Sequence, residues 1–464
     1  MFNHTVPTDQ SSAGHYDLII IGSGSANAIP AYLSDWKIAI VERGTFGGTC
    51  LNVGCIPSKM FVLPADMAEE ANHSHRLGID VRFHGADWRA IRDRVFGRID
   101  PIAESGRQYR ANGSENITLI EGTARFVAPR VLDIEGQRFT ADHILVGAGA
   151  RPVVPPIPGL VETGFHTSDS IMRLDELPER LGIIGGGYIA VEMGHVFASF
   201  GSKVSLFNRS RLLLRGQDLD ISERFTDVFS KRVDVHLEHL PSKIERRGDV
   251  IAIHCAGDVV EVDQLLVATG REPNSDLLDA ESGGLACHHH GTIVVDQHMR
   301  TSVEGVWAIG DIANEYQLKH VANHEATVAF WNIAHPDELR QVDYKAVPAA
   351  VFSNPQVATV GLTEAQAREQ GCEFVVGHRD YGGTAFGWAL ADETSFAKVL
   401  VDSTTGLIIG AHIIGPQAAS LIQPLIQAIQ FGHTAAELAH EPYWIHPAST
   451  EVVENALLAA LEQL

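Results

Sequence analysis

The sequence has no window of about 18 consecutive apolar residues, so no membrane-spanning helix is expected. Basic residues are scarce. Lysine and arginine number 35 against 58 aspartates and glutamates, a net charge of −23. A nucleic-acid partner or an anionic membrane surface, either of which needs a basic face, is therefore disfavoured. Cysteine is rare too: five residues, at 50, 55, 255, 287 and 372, with only the first two close together. A sparse, odd set cannot frame a secreted disulfide scaffold, and a reducing cytoplasm with one special pair fits better. Short-period repeats are missing. The first 14 residues (MFNHTVPTDQSSAG) lack the apolar core of a secretion signal and read as a disordered tail.

What is present is ordinary for a folded soluble chain: 45% hydrophobic and 20% charged residues. At roughly 150 residues per domain, the 464 residues suggest about three domains. A long-range echo organises them. YDLIIIGSGSAN (16–27) and ERLGIIGGGYIAVE (179–192) both read as strand, glycine turn, helix, and a second strand follows each, KIAIVE (37–42) and KVSLFN (203–208). Two such βαβ openings predict an α/β chain with two Rossmann-like dinucleotide-binding domains. HILVGAGARP (143–152) and QLLVATGREPN (264–274, with Gly270 in its turn) each close one of them, VPPIPG (154–159) links them, and GVWAIGD (305–311) reads as a return strand. From about 343 the pattern alternates as antiparallel strands do, and a helical stretch follows at 420–432, which predicts a C-terminal α+β domain. The expected division is 15–152, 153–271, 272–342 and 343–464.

In the first unit Gly22 permits the tight turn and Gly24 lets a pyrophosphate approach a helix N-terminus, with Glu42 at the end of the next strand to accept ribose hydroxyls. Asn27 replaces the usual third small residue and Pro30 interrupts the helix; a glycine turn in an unrelated α/β domain is the competing reading. In the second unit Gly185, Gly187 and Ala190 are regular. Asn208 stands where an acid would repel a 2′-phosphate, and Arg209, Arg211 and Arg215 follow. Arginines there favour NADPH over NADH, although a solvated loop, above all at Arg211, has the same composition.

The strongest signal is Gly47-Gly-Thr49-Cys50-Leu-Asn-Val-Gly-Cys55-Ile-Pro-Ser-Lys59. A regular helix would hold residues five apart at roughly 8–9 Å, and a disulfide needs less than about 7 Å between Cα atoms. A bridged pair would distort the helix start, which Gly54 eases. Such a bridge is expected to be reducible and its thiolate stabilised; a pair of buried thiols is the alternative. No metal is expected, since no second ligand pair has zinc-like spacing, and the run Cys287-His288-His289-His290 before strand-like TIVVD reads as a surface turn. Near the end stand His446-Pro-Ala-Ser-Thr-Glu451, a histidine with a carboxylate to orient it. Thiol–disulfide exchange needs such an acid and base.

In order and spacing these motifs resemble the glutathione reductase and dihydrolipoamide dehydrogenase family of pyridine nucleotide-disulfide oxidoreductases, from about residue 15 to 464. The resemblance implies a homodimer with FAD, NADPH and dimerisation domains and a small-molecule disulfide as substrate. It implies FAD in the first nucleotide site, with Asp311 on its ribitol chain and the backbone near Ala124 beside its adenine. It further implies a Lys59–Glu192 pair next to the flavin, Tyr188 covering the nicotinamide pocket, and Cys55 facing the flavin. Cys50 would then be the interchange thiol, and His446 with Glu451 would come from the partner subunit. Within the family, FGGTCLNVGCIPSKMFV, VFGRIDPIAESGRQYR (95–110), LKHVANHEA (318–326), TAFGWAL (384–390) and YWIHPASTEVVENALL (443–458) are most similar to the mycothione reductase group of actinobacteria. Asn208 and Arg209 argue against an NAD-dependent dihydrolipoamide dehydrogenase. Cationic groups for glutathione carboxylates cannot be found, and the ending LLAALEQL lacks the vicinal cysteines of mercuric reductases. A flavin-bearing redox sensor would not need both cysteines and the HPxxxE motif.

Overall fold

The computed structural model describes residues 12–464. Most of the expected tail lies outside them, but Ser12–Gly14 do not belong to a tail: they open the strand Ser12–Ile21, paired with Gln137–Val146. The chain forms two compact units, one of the residues up to 57 with 94–152 and 271–343, the other of 58–93, 153–270 and 344–464. The stretch 58–93, counted with the first nucleotide-binding part in the sequence, thus groups with the second unit.

In the first unit, five parallel strands run in the order Ile117–Glu121, Ile38–Glu42, Ser12–Ile21, Gln137–Val146 and Val306–Ala308. The short antiparallel strands Ala124–Ala128 and Val131–Ile134 extend the sheet at the outer half of Gln137–Val146. The paired stretches Leu18–Ile21, Ile38–Val41 and Ile144–Val146 are apolar and buried, as strand segments covered on both faces must be. GVWAIGD forms the return strand and then a single turn, Gly310–Ile312. Ala150–Pro152 and Arg271–Pro273 pair antiparallel where the chain leaves and re-enters this unit.

In the second unit, the parallel strands Asp234–Leu237, Lys203–Asn208, Arg180–Ile184 and Gln264–Val267 make the second nucleotide-binding sheet. A three-stranded meander, Lys243–Val262, packs Ile244, Ile251 and Ile253 against Ile184 and Phe207. The C-terminal part is a five-stranded antiparallel sheet, Pro348–Val351, Val357–Gly361, Ile408–Ile414, Phe396–Asp402 and Phe374–Asp380. The helix Glu451–Leu461 lies on its edge strand so closely that a Cβ on Gly377 would stand 1.9 Å from the Ala456 carbonyl oxygen.

The two glycine turns differ. Gly22 (φ 98°) and Gly185 (φ 136°) both occupy backbone space forbidden to side chains, where a Cβ would meet the carbonyl oxygens of Gly147 and Ala268 at 2.3 and 2.2 Å. After Gly187 a twelve-residue helix, Tyr188–Ser199, follows as expected. After Gly24 it does not: the chain makes two single 3₁₀ turns, Ser25–Asn27 and Ala31–Leu33. Pro30 has no N–H to continue a helix. Arg110 donates to the Asn27 side-chain oxygen and carbonyl, both at 2.8 Å, fixing the interrupted segment. The expected strand TIVVD is also absent, reduced to a Cys287–Ile293 bridge, while His288–Gly291 turn as expected.

A buried cation fastens the second unit internally. Lys398, on the inner strand Phe396–Asp402, donates to Asp218 and Asp220 at 2.7 Å and also pairs with Glu364. Burial pushes the Asp218 carboxyl up, but hydrogen bonds from Lys398 and the Glu364 N–H outweigh it and hold it below its ordinary value. A carboxylate held down in the folded state stabilises at neutral pH and loses that contribution as pH falls through its folded value. Replacing Lys398 by Met leaves these charges unpaired and should cost about 3–5 kcal/mol at pH 7. The thermal midpoint of the protein is expected to drop by several degrees, with the gap to wild type narrowing as the medium is acidified. An unchanged midpoint would contradict this account.

Candidate active site

The first unit carries a cradle and a cysteine pair. Glu42 ends its strand with one carboxylate oxygen accepting from the Ser23 N–H (2.9 Å) and hydroxyl (2.6 Å), the other from the Gly44 N–H (2.8 Å). The Ser23 hydroxyl in turn accepts from the Gly47 N–H at 2.8 Å, tying the first glycine turn to the turn that leads to the cysteines. These turns lie backbone to backbone: a Cβ on Gly48 would come within 2.7 Å of the Gly24 Cα. Bare backbone with a carboxylate at the strand end suits a dinucleotide, and the residues present fit FAD. Asp311 sits on the turn Gly310–Ile312, which Glu325, fully buried, holds through the Gly310 N–H at 2.6 Å. Burial pushes the Asp311 carboxyl up, with the Arg271 guanidinium opposing. Ala124 opens its strand with the methyl group in the core, leaving backbone rather than side chain for any ligand.

The cysteine segment is not one regular helix. Thr49 and Cys50 belong to the short helix Gly48–Asn52, which stops at Val53, and Cys55 begins the helix Cys55–His73. Gly54 fills the break, where a Cβ would come 2.9 Å from the Thr49 carbonyl oxygen. The separation computed for a continuous helix therefore does not apply. Both cysteines are thiols here, and their side chains interact directly. The hydrogen bond with Cys55, then burial, then the charge of Cys55 push the Cys50 thiol up, and the Lys319 ammonium opposes. Lys319 was not singled out in the sequence, although it lies within LKHVANHEA; its ammonium donates to the Ser25 hydroxyl at 2.8 Å.

The second unit carries three further groups. Lys59, one turn into the Cys55 helix, donates to both oxygens of Glu192 at 2.9 and 2.7 Å. Glu192 is 3% exposed and also accepts from the Phe352 N–H at 2.9 Å, while the Lys59 ammonium lies over the Phe352 ring. Tyr188 stands at the exposed start of the same helix as Glu192. Beside Gly185–Gly187, Asn208 donates to the carbonyls of Ser210 and Leu212 at 2.9 Å, and the Leu214 N–H bonds to the Gly186 carbonyl. Asn208 thus folds the arginine loop onto the glycine turn. Arg209 and Arg215 are exposed there, and among the described residues neither makes an ion pair, whereas Arg211 approaches Glu223 at 3.9 Å. Gly270 (φ 130°) turns the chain after Gln264–Val267.

The third group is His446 with Glu451. The histidine Nδ1 lies 2.5 Å from a Glu451 carboxylate oxygen. Glu451 is the buried first residue of the helix that rests on Gly377, so the packing of that helix orients the imidazole. The histidine itself is exposed, and no described residue bonds its Nε2.

Residues 16–326 match the model of the pyridine nucleotide-disulphide oxidoreductases, and residues 347–457 match the dimerisation domain of the same family. The chain is 47% identical to a mycothione reductase of Mycobacterium tuberculosis, over 96% of this chain and 99% of that protein. It is 34% identical to a mercuric reductase of Staphylococcus aureus, over 98% of this chain and 83% of the other. Among solved structures it is similar to the HOCl-induced flavoprotein disulfide reductase RclA from Escherichia coli in its Cu(II) complex. That likeness has a TM-score of 0.85 and 28% identity over 97% of this chain and all of the other. By fold, by motif order and by these likenesses, the chain belongs to the pyridine nucleotide-disulphide oxidoreductase family.

Proposed function

We propose that this flavin-dependent disulfide reductase uses NADPH to reduce mycothione, the disulfide of mycothiol, to two thiols. The disulfide chemistry rests on one observation, a Cys50–Cys55 pair in direct contact at a helix break. The substrate rests on the 47% identity to a mycothione reductase along essentially the whole chain. Its cofactors are FAD and NADPH, and bound FAD supplies the two-electron relay between NADPH and the Cys50–Cys55 disulfide.

In this reading residues 15–152 and 272–342 bind FAD, through Gly22, Gly24, Glu42, Thr49, Ala124 and Asp311. Residues 153–271 bind NADPH, through Gly185, Gly187, Gly270, Arg209 and Arg215, with Tyr188 covering the nicotinamide site. Lys59 and Glu192 orient the flavin. His446, which Glu451 orients, takes the Cys50 proton as the sulfur attacks one sulfur of the substrate disulfide; that S–S bond breaks, and the leaving sulfur takes the proton back from His446. Cys55 then attacks Cys50, releases the second thiol and re-forms the Cys50–Cys55 disulfide. The balance is one disulfide, one NADPH and one proton giving two thiols and NADP⁺.

The chain carries a dimerisation domain at 347–457. The finer proposal is a homodimer in which His446 and Glu451 serve the cysteine pair of the other subunit. It is supported by the outward-facing His446 and by the apolar side chains exposed near it in sequence, Tyr443 and Ile445. No helix among the described residues is long and apolar enough to cross a membrane. We assign the enzyme to the cytoplasm, where NADPH and a reduced thiol pool meet.

Two expectations follow from these roles. Cys50→Ser should abolish NADPH-driven mycothione reduction while oxidation of NADPH by oxygen or quinones survives, both followed at 340 nm; retained mycothione turnover would refute the assignment of Cys50. Replacing Arg209 and Arg215 together by Ala should raise the KM for NADPH by about tenfold or more, since hydrogen bonds to charged groups contribute about 1.5–3 kcal/mol each. The KM for NADH should hardly move. A parallel rise for both nucleotides would show that the loop does not read the 2′-phosphate.

A further inference from the structure

The helices Cys55–His73 and Tyr188–Ser199 are joined by three polar rungs rather than by the Lys59–Glu192 pair alone. Asp66, seven residues beyond Lys59, meets His195, three residues beyond Glu192, at 2.8 Å. Glu69 then pairs with Arg232 at 2.5 Å and lies 3.4 Å from the Ser199 hydroxyl. At 1.5 Å per residue, the rungs cover roughly 15 Å of the first helix.

Beyond Lys59 the ladder is largely dry, Asp66 alone being 34% exposed. The His195 side chain is 0% exposed, and those of Glu69 and Arg232 are 9% and 15% exposed. Arg232 has only donors, and its Nη2 faces the His195 Nδ1 at 3.3 Å and the Ser199 hydroxyl at 3.1 Å. The His195 Nδ1 must therefore accept, which leaves its proton on Nε2, donated to Asp66. A single tautomer satisfies both neighbours, so the rung has one arrangement. Arg232 also donates to the Asn354 carbonyl at 2.9 Å, and two residues earlier the Phe352 N–H donates to Glu192. The loop 352–354 is thus held at both ends of the ladder.

Apolar side chains would join two helices at least as stably as buried ions do. What a fully satisfied polar network adds is one register. Near the Lys59–Glu192 pair, a register error of a fraction of a helical turn would displace the ammonium.

We propose that His195 and Arg232 are positioning residues for the NADPH-to-flavin step, acting through the register in which Lys59 meets Glu192. This rests on the role given above to Lys59 and Glu192. Both act through the packing: they fix the helix that carries Lys59 against the helix that carries Glu192.

The test is anaerobic rapid mixing of the FAD-loaded protein with NADPH, reading flavin bleaching per bound FAD. His195→Leu should slow flavin reduction by about tenfold or more, the scale on which small misplacements act, with FAD content unchanged. His195→Gln, whose amide nitrogen can replace Nε2 toward Asp66, should recover most of the rate. If His195→Leu reduces its flavin at the wild-type rate, the rungs only pack the helices and the proposal is overturned. Should His195→Leu fail to fold, Asp66→Asn cuts the same rung from its more exposed side, and an unchanged rate there overturns the proposal equally. Glu192→Gln serves as the control. A wild-type rate in that variant removes the underlying role of the ion pair, and the proposal with it, whatever His195→Leu does.

Discussion

A buried carboxylate needs a cation, and Glu192 obliges three parts of the second unit to meet. Its oxygens accept from Lys59 and from the Phe352 N–H, so the Cys55 helix, the Tyr188 helix and the loop before Val357 converge on one group. Removing one partner of such a pair costs about 3–5 kcal/mol, because the other charge stays buried. The arrangement is therefore rigid. It also explains why the rungs above it are polar: once the first contact is an ion pair, the helices must hold the register that keeps it closed.

The first unit depends on a different constraint, close approach of bare backbone. Gly22 against Gly147 and Gly48 against Gly24 leave no room for side chains. These contacts bring the end of one strand, the glycine turn and the cysteine segment to one place, with Ser23 as the hydrogen-bonding pivot between Glu42 and Gly47. The same economy recurs in the C-terminal domain. Gly377 lets the last helix settle on the sheet edge, and Glu451, at the start of that helix, orients His446. His446, itself in a loop, is thus held through a residue of a packed helix.

The sequence made much of this legible because the chemistry is local. Strand–glycine–strand spacing is dictated by the βαβ unit, and the inner strands of both parallel sheets form from the segments it predicts, whereas the edge strands Ile117–Glu121 and Asp234–Leu237 carried no such pattern. The Lys59–Glu192 contact, 133 residues apart in sequence, was accessible only through family resemblance, since no local pattern encodes it. Besides the missing TIVVD strand and the strand at Ser12–Gly14, two local features go further than the interruption at Pro30 and the distortion at Gly54 that the sequence led one to expect. Pro30 and the Asn27–Arg110 contact replace the first helix with single turns, and the break at Val53–Gly54 removes the regular helix assumed for the cysteines. Lys319, Glu325 and Arg232 were missed because their importance lies in what they face across the fold. The strand pattern around Lys398 gave no warning that a lysine there would be buried among three acids.

The chemistry and the packing meet in one claim, that electrons pass from NADPH to a mycothiol disulfide through a cysteine pair held at a helix break. The most direct measurement follows NADPH consumption at 340 nm by the purified FAD-loaded protein with mycothione, oxidised glutathione and lipoamide in parallel, each repeated with NADH. Turnover with mycothione and NADPH, far above every other combination, is the predicted result. Preference for lipoamide with NADH would contradict both the substrate and the reading of Arg209 and Arg215.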